Sequence, residues 1–289
     1  WNMPLNFGGL DTIFNIIGED DCCLFYEDRL DRLAENLNPA FVKGKKLQVY
    51  DTHATDLFTH WNIDDEERMQ SAYLEIDRQV AWFHGICKEK GIMLLSDHGQ
   101  QRVSETIDIM GKIREFGIGD SEISYFVEAS KTRFWFHSSG AREKVLEYLA
   151  GLGKGTLLHF EELYKYNIKF DDDRYGEYYY ITDPGVIFHP NDFYHPLGNI
   201  YLALRDRAQR PRLKSPVYRG YHGHLPHNEC EKGFMFLLDS EYKSRREEVE
   251  IIDVAPTVLY LLGRQKPLSL EGVTAYEIQN PGRKCNISA

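Results

Sequence analysis

The feature that most constrains this chain is an alternation of short apolar runs with amphipathic stretches over its first hundred residues. Residues 22–26 (CCLFY), 45–50 (KKLQVY) and 92–95 (IMLL) read as strands. Strands that are apolar at consecutive positions are buried on both faces, as in a parallel sheet covered by helices. Between the last two, residues 66–90 set Met69, Ala72, Tyr73, Ile76, Val80 and Phe83 in one stripe, which predicts a long helix ended by Gly91. Residues 11–17 and 29–37 predict two shorter helices, the first capped by Asp11 and the second stopped at Asn38-Pro39. Strand, helix and strand at these lengths make a βαβ unit. The expected class is α/β, a mostly parallel sheet sandwiched by helices, with functional residues where strands end.

From residue 101 to 215 the texture changes. A helix is expected over 105–116, strands over 123–127 and 132–137, and a helix over 142–149. The runs 177–181 and 186–188 flank Asp183-Pro184-Gly185, a turn signal that predicts a hairpin. This Tyr- and Phe-rich stretch reads as a smaller α+β insert. Strands over 234–238 and 249–252 follow, then a helix over 255–262 ended by Gly263. The expected organisation is a core built from 1–100 and 216–289, with 101–215 as a cap-like insert.

Charge narrows the function. Lys and Arg total 34 against 45 Asp and Glu, a formal net charge of −11. That field excludes a protein that coats nucleic acid and leaves room for a local basic site that takes a phosphorylated small molecule. No stretch reaches the roughly 18 apolar residues of a membrane span. The five cysteines (Cys22, Cys23, Cys87, Cys230, Cys285) are odd in number and lack a C-x-x-C pair. They argue against a disulfide scaffold or a cysteine zinc knuckle and fit a reducing, cytoplasmic compartment. Asn286-Ile287-Ser288 matches a glycosylation sequon on a polar tail and is read as chance.

Three places set His beside carboxylate or glycine after a strand or in a loop. In the first, residues 51–60 (DTHATDLFTH), Asp56 and His60 are four apart and share one face of a helical turn, where both can reach one divalent ion. The same pair also suits a capping Asp and a packed His. In the second, Ser96-Asp97-His98-Gly99 follows the run 92–95, and Gly99 permits the bend that turns both side chains toward one ion. An N-capping Asp with a surface His is the alternative. The third is Gly220-Tyr221-His222-Gly223-His224, with His227 nearby, whose glycines let backbone approach a ligand. Together these residues supply the ligands of a two-zinc site, because zinc takes His and Asp readily in tetrahedral geometry. Two such ions about 4 Å apart would clamp a phosphoryl oxygen.

The order of these motifs, D-x-x-x-H, then S-D-H-G after a strand, then G-x-H-G, resembles the alkaline phosphatase superfamily, and within it the type I phosphodiesterase/nucleotide pyrophosphatase family. The closing segment 253–263 (DVAPTVLYLLG), followed by Leu270-Glu271-Gly272, is similar to that superfamily's final helix and turn. Pro256 suits its first turn. The resemblance implies two divalent ions, zinc in the first place and manganese or iron as alternatives. Asp56, His60 and His222 would hold one, and Asp97 and His98 the other.

It further implies a Thr or Ser nucleophile that forms a covalent phospho-enzyme. In the family that nucleophile lies well over a hundred residues before the D-x-x-x-H, whereas 55 residues precede Asp56 here, so it is expected upstream of this chain. Thr12 sits inside a helix pattern and is a poor substitute. Asp51, His53 and His224 are candidates for ligand support or substrate contact, and residues 174–180 for an aromatic wall or a packed β-face. The implied activity is metal-dependent hydrolysis of phosphodiester or nucleotide pyrophosphate bonds, with a nucleotide or nucleotide-sugar as substrate. Phosphomonoesterase, phosphonate hydrolase, phosphosugar mutase and a non-catalytic metal-binding member are the alternatives. No C-x-P-x-R motif speaks for a sulfatase.

Overall fold

The computed structural model describes residues 6–7, 10–29, 44–86, 91–238 and 241–278. Their contacts form two compact units, one of 1–53, 75–97 and 234–289, the other of 54–74 and 98–233. The helix expected over 29–37 falls almost wholly outside the described residues.

In the first unit Cys22–Glu27 and Leu47–Thr52 pair in parallel, from Cys22 opposite Leu47 to Glu27 opposite Thr52. Ile92–Leu95 pairs antiparallel with Met235–Leu238. A buried cluster of Phe14, Ile17, Cys22 and Leu259 joins the helix Ile13–Ile17, the first strand and the helix Val254–Leu261. The cap of the helix Ile13–Ile17 is Thr12, not Asp11. Thr12 has the extended backbone a cap needs and accepts the Asn15 amide, while Asp11 lies in a short strand.

Residues 249–252 are not a strand either. Asp253 folds that backbone back by accepting Glu250 N–H at 3.0 Å and Val273 N–H at 2.7 Å, so Ile251–Asp253 make one tight helical turn. The strand nearby is Tyr242–Ser244, paired with Tyr276–Ile278. In the helix Glu66–Ile86, Ala72 is buried as its periodicity requires. Tyr73 leaves the expected stripe, being exposed, and Gln79 takes a buried place instead.

The second unit is built on a four-stranded antiparallel sheet in the order Gly155–His159, Tyr178–Thr182, Lys131–Phe136, Ile123–Val127. The helices Ile109–Glu115 and Ser139–Leu152 bring Ile109, Ile113, Val145 and Leu149 into the same cluster as Phe134, Tyr180 and Val127. Tyr179 and Tyr180 are buried, so that stretch is a packed sheet face.

The runs around Asp183-Pro184-Gly185 do not form a hairpin. Tyr178–Thr182 already has a partner on each side, so no edge remains for Val186–Phe188. That strand pairs in parallel with Glu105–Ile107. Residues 105–107 are therefore strand, and the helix starts after Asp108, whose carboxylate accepts the Gly111 amide at 2.6 Å. Among the described residues, parallel pairing occurs in two ladders and the largest sheet is antiparallel, a mixed α/β fold.

Candidate metal centre

The site belongs to the second unit. The helix Ala54–Asn62 carries Asp56 and His60 one turn apart on the same face. A two-residue ladder brings the other motifs to them: Gly220 pairs with Arg102 and Tyr221 with Gln101, which sets the residue after Tyr221 beside the residues before Gln101. Gly220 is closely surrounded, since a Cβ would lie 3.0 Å from Gln100 Oε1 and 3.1 Å from Thr59 O. Gly223 has φ +86°, a conformation that glycine adopts freely.

Two imidazoles converge on one carboxylate oxygen. His60 Nε2 and His222 Nε2 each lie 3.3 Å from Asp56 Oδ1. Gln100 Nε2 donates to the same oxygen at 2.5 Å and to the Asp56 carbonyl at 3.3 Å. His98 stacks on His222 with ring centroids 3.6 Å apart and planes at 13°. Asp56, His98 and His222 each offer a ligand atom within 4.8 Å of the others. The His60 ring is flanked by Tyr218 and Tyr221, at 5.1 and 5.0 Å. Burial works to raise the Asp56 pKa, but the His222 and His60 imidazoles beside its carboxylate win and hold it far below the usual carboxylate range. Burial also pushes the Tyr218 and Tyr221 hydroxyls up, so both are neutral phenols in this wall.

The donor set fits a divalent cation. His60 Nδ1 lies 2.7 Å from the Gly220 carbonyl, and a carbonyl can only accept, so the ring proton sits on Nδ1. The Nε2 lone pair then faces a carboxylate oxygen, two acceptors in contact unless a second proton or a cation lies between them. His98 likewise has Nδ1 2.9 Å from a carbonyl, that of Gly99. A ring nitrogen fixed on a carbonyl while the other is turned to a carboxylate is how metal-binding histidines are oriented. One oxygen and several imidazole nitrogens suit zinc, manganese or iron.

The other sequence candidates are placed as follows. Asp97 is exposed, lies in the first unit and stands outside the Asp56, His98, His222 group. By distance, His98 groups with Asp56 and His222. Asp51 is exposed in the strand Leu47–Thr52, and His53 bonds Tyr26 through Nδ1 at 3.2 Å, both in the first unit. His224 is buried, with Nδ1 2.9 Å from the Thr182 carbonyl and no partner on Nε2, and desolvation holds its pKa below the usual histidine value. His227 is exposed, and Thr12 is a helix cap.

Two residues that the motifs did not single out support the site. Gln100 anchors Asp56 as described. Glu231 accepts the Gly223 amide at 2.8 Å through Oε2, while its main-chain carbonyl accepts the Gly99 amide at 3.4 Å. It therefore touches both histidine-bearing loops. Gln100 directly follows S-D-H-G, a positional hint, whereas Glu231 has no local signal because its partners are brought to it by the fold.

With this geometry in hand, solved structures provide the comparison. The murine ectonucleotide pyrophosphatase/phosphodiesterase 5 superposes with a TM-score of 0.59 at 15% identity, over 85% of this chain and 61% of that one. The human protein of the same name matches at 0.59 and 15%, over 84% and 60%. This chain has their fold. The chain spans about three fifths of the length of these ectonucleotide pyrophosphatase/phosphodiesterases. An inactive variant of the murine protein was solved in complex with AMP, again at 0.59. No protein-family model and no curated protein sequence matches the chain.

Proposed function

We propose that this chain supplies the metal-holding part of a hydrolase that cleaves phosphodiester or nucleotide pyrophosphate bonds. The observation that carries the reading is the convergence of His60 Nε2 and His222 Nε2 on Asp56 Oδ1, both at 3.3 Å, with His98 stacked on His222. Asp56, His98 and His222 would hold a divalent cation, with His60 turned to the same Asp56 oxygen. Cations bound there would polarise the phosphoryl group and neutralise charge that builds on its oxygens.

The chain's own residues do the positioning. The Gly220 carbonyl holds the His60 ring proton and so turns Nε2 inward, Gln100 fixes the Asp56 carboxylate, and the Tyr218 and Tyr221 rings keep water from the buried side of His60. The Thr or Ser nucleophile and the phospho-enzyme that the resemblance calls for are assigned to no residue of this chain. The fold shared with a protein solved in complex with AMP supports a nucleotide-like substrate.

The test compares bis-p-nitrophenyl phosphate with p-nitrophenyl phosphate in the intact protein, with and without chelator, beside Asp56→Asn. Chelator-sensitive hydrolysis of the diester, lost in Asp56→Asn, is expected. Preference for the monoester refutes the diesterase, and metal binding without turnover of either refutes the hydrolase.

A further inference from the structure

Apart from the metal centre, the second unit contains a groove of about 870 Å³ with an unusual charge balance. Five cations line it, Arg68, Arg207, Arg210, Lys214 and Arg219, against Asp64, Asp65 and Glu66. The acids are largely committed. Asp64 pairs with Arg102 at 2.6 Å and with Arg219 at 3.8 Å, and Asp65 accepts the Arg68 amide at 3.1 Å at the start of a helix. Among the described residues Arg207, Arg210 and Lys214 have no ion-pair partner, in a chain that carries 45 acids against 34 bases.

The backbone explains how these cations are presented. Arg207–Leu213 is a seven-residue 3₁₀ helix, and in a 3₁₀ helix side chains three apart lie directly above one another. One such row, Gln209 and Arg212, turns inward. Gln209 donates to the Leu57 carbonyl at 3.0 Å, and the buried Arg212 guanidinium lies 4.7 Å from the Trp61 ring centroid. The neighbouring row, Arg207 and Arg210, faces the groove. Pinning the first row therefore holds the second in register, with Pro211 stiffening the turn between. The wall also contains Trp61, which is buried and whose indole N–H has no partner. Eclipsed like charges repel, and an anion lying between them removes that repulsion.

We infer that this groove binds a multiply charged phosphate chain, of the kind found in a nucleoside triphosphate or an inorganic polyphosphate. Guanidinium pairs match phosphate oxygens in a two-pronged fashion, and the volume falls in the range of small-molecule sites rather than that of a single phosphate. The groove's lining includes none of Asp56, His60, His98 and His222, and the inference does not rest on the hydrolase reading.

The experiment is calorimetric titration of the chain with sodium tripolyphosphate, ATP and orthophosphate, in chelator so that no metal-bound phosphate contributes. Wild type is compared with Arg207→Gln/Arg210→Gln, with Arg174→Gln as a distant control and with Asp56→Asn. Tripolyphosphate is expected to bind, more weakly as ionic strength rises, and the double variant to lose about tenfold or more. Arg174→Gln and Asp56→Asn are expected to bind as wild type does. Equal affinity for ATP and tripolyphosphate assigns recognition to the phosphate chain, and tighter ATP binding adds the nucleoside; either supports the site. No binding, binding untouched by the double variant in a folded protein, or binding abolished by Asp56→Asn overturns it.

Discussion

Truncating Glu231 to alanine probes how the histidine loops are held. Its carboxylate accepts the Gly223 amide at 2.8 Å, next to His222, and its main-chain carbonyl accepts the Gly99 amide, next to His98. The substitution removes the first contact and leaves the second, so the His222 loop alone loosens. A hydrogen bond to a charged acceptor contributes about 1.5–3 kcal/mol. If that falls wholly on the metal-competent conformation, zinc affinity drops by about 10- to 150-fold, overlapping the roughly 10- to 100-fold typical of outer ligand-orienting contacts. Competition with a chromophoric chelator reads the affinity, and thermal unfolding of the metal-free protein reads the structural cost. Glu231→Gln keeps an acceptor oxygen and is expected to recover most of the loss. Wild-type zinc affinity in a folded Glu231→Ala, or a lower melting temperature with no change in affinity, would refute the positioning argument.

Further outcomes follow from single contacts. Gly99→Ala would place a Cβ 2.5 Å from the Cys230 carbonyl and 3.0 Å from that of Lys232, both backbone atoms, so about 1–3 kcal/mol of stability is expected to be lost, read by denaturant unfolding, together with zinc affinity. Asp253 is buried, and although desolvation works to raise its pKa, bonds from Val273 N–H, Glu250 N–H and Arg246 hold it below the ordinary carboxylate value. A lowered folded pKa contributes stability that is complete above the unfolded value of about 3.9 and is lost as pH falls through the folded one. Asp253→Asn is therefore expected to melt lower at neutral pH, with the gap to wild type closing as pH falls below about 4. A gap constant with pH would contradict this.

Local chemistry made much of this molecule readable from sequence. The runs 22–26 and 92–95 are strands, and 66–86 is a long helix, because buried apolar runs and 3.6-residue periodicity need no distant partner to be recognised. Errors came where a distant partner decided. The turn at Asp183-Pro184-Gly185 has the local chemistry of a hairpin, but both edges of Tyr178–Thr182 are taken by strands far away in sequence. Residues 249–252 look like a strand until Asp253 collects amides from Glu250 and Val273. At the site, the spacing of Asp56 and His60 was legible because four residues make one helical turn. The proximity of His98 to His222 depends on a two-residue ladder, and the clamp at Glu231 on a loop contact, neither of which has a local signature.

The central claim is that Asp56, His98 and His222, with His60 beside them, hold a cation. X-ray absorption at the zinc edge of the zinc-loaded chain tests it most directly. The expected spectrum shows imidazole scattering and a first shell of nitrogen and oxygen at about 2.0–2.2 Å, lost in Asp56→Ala/His222→Ala. A chain that retains no zinc, a shell with sulfur at about 2.3 Å, or a spectrum unchanged in the double variant would contradict the account.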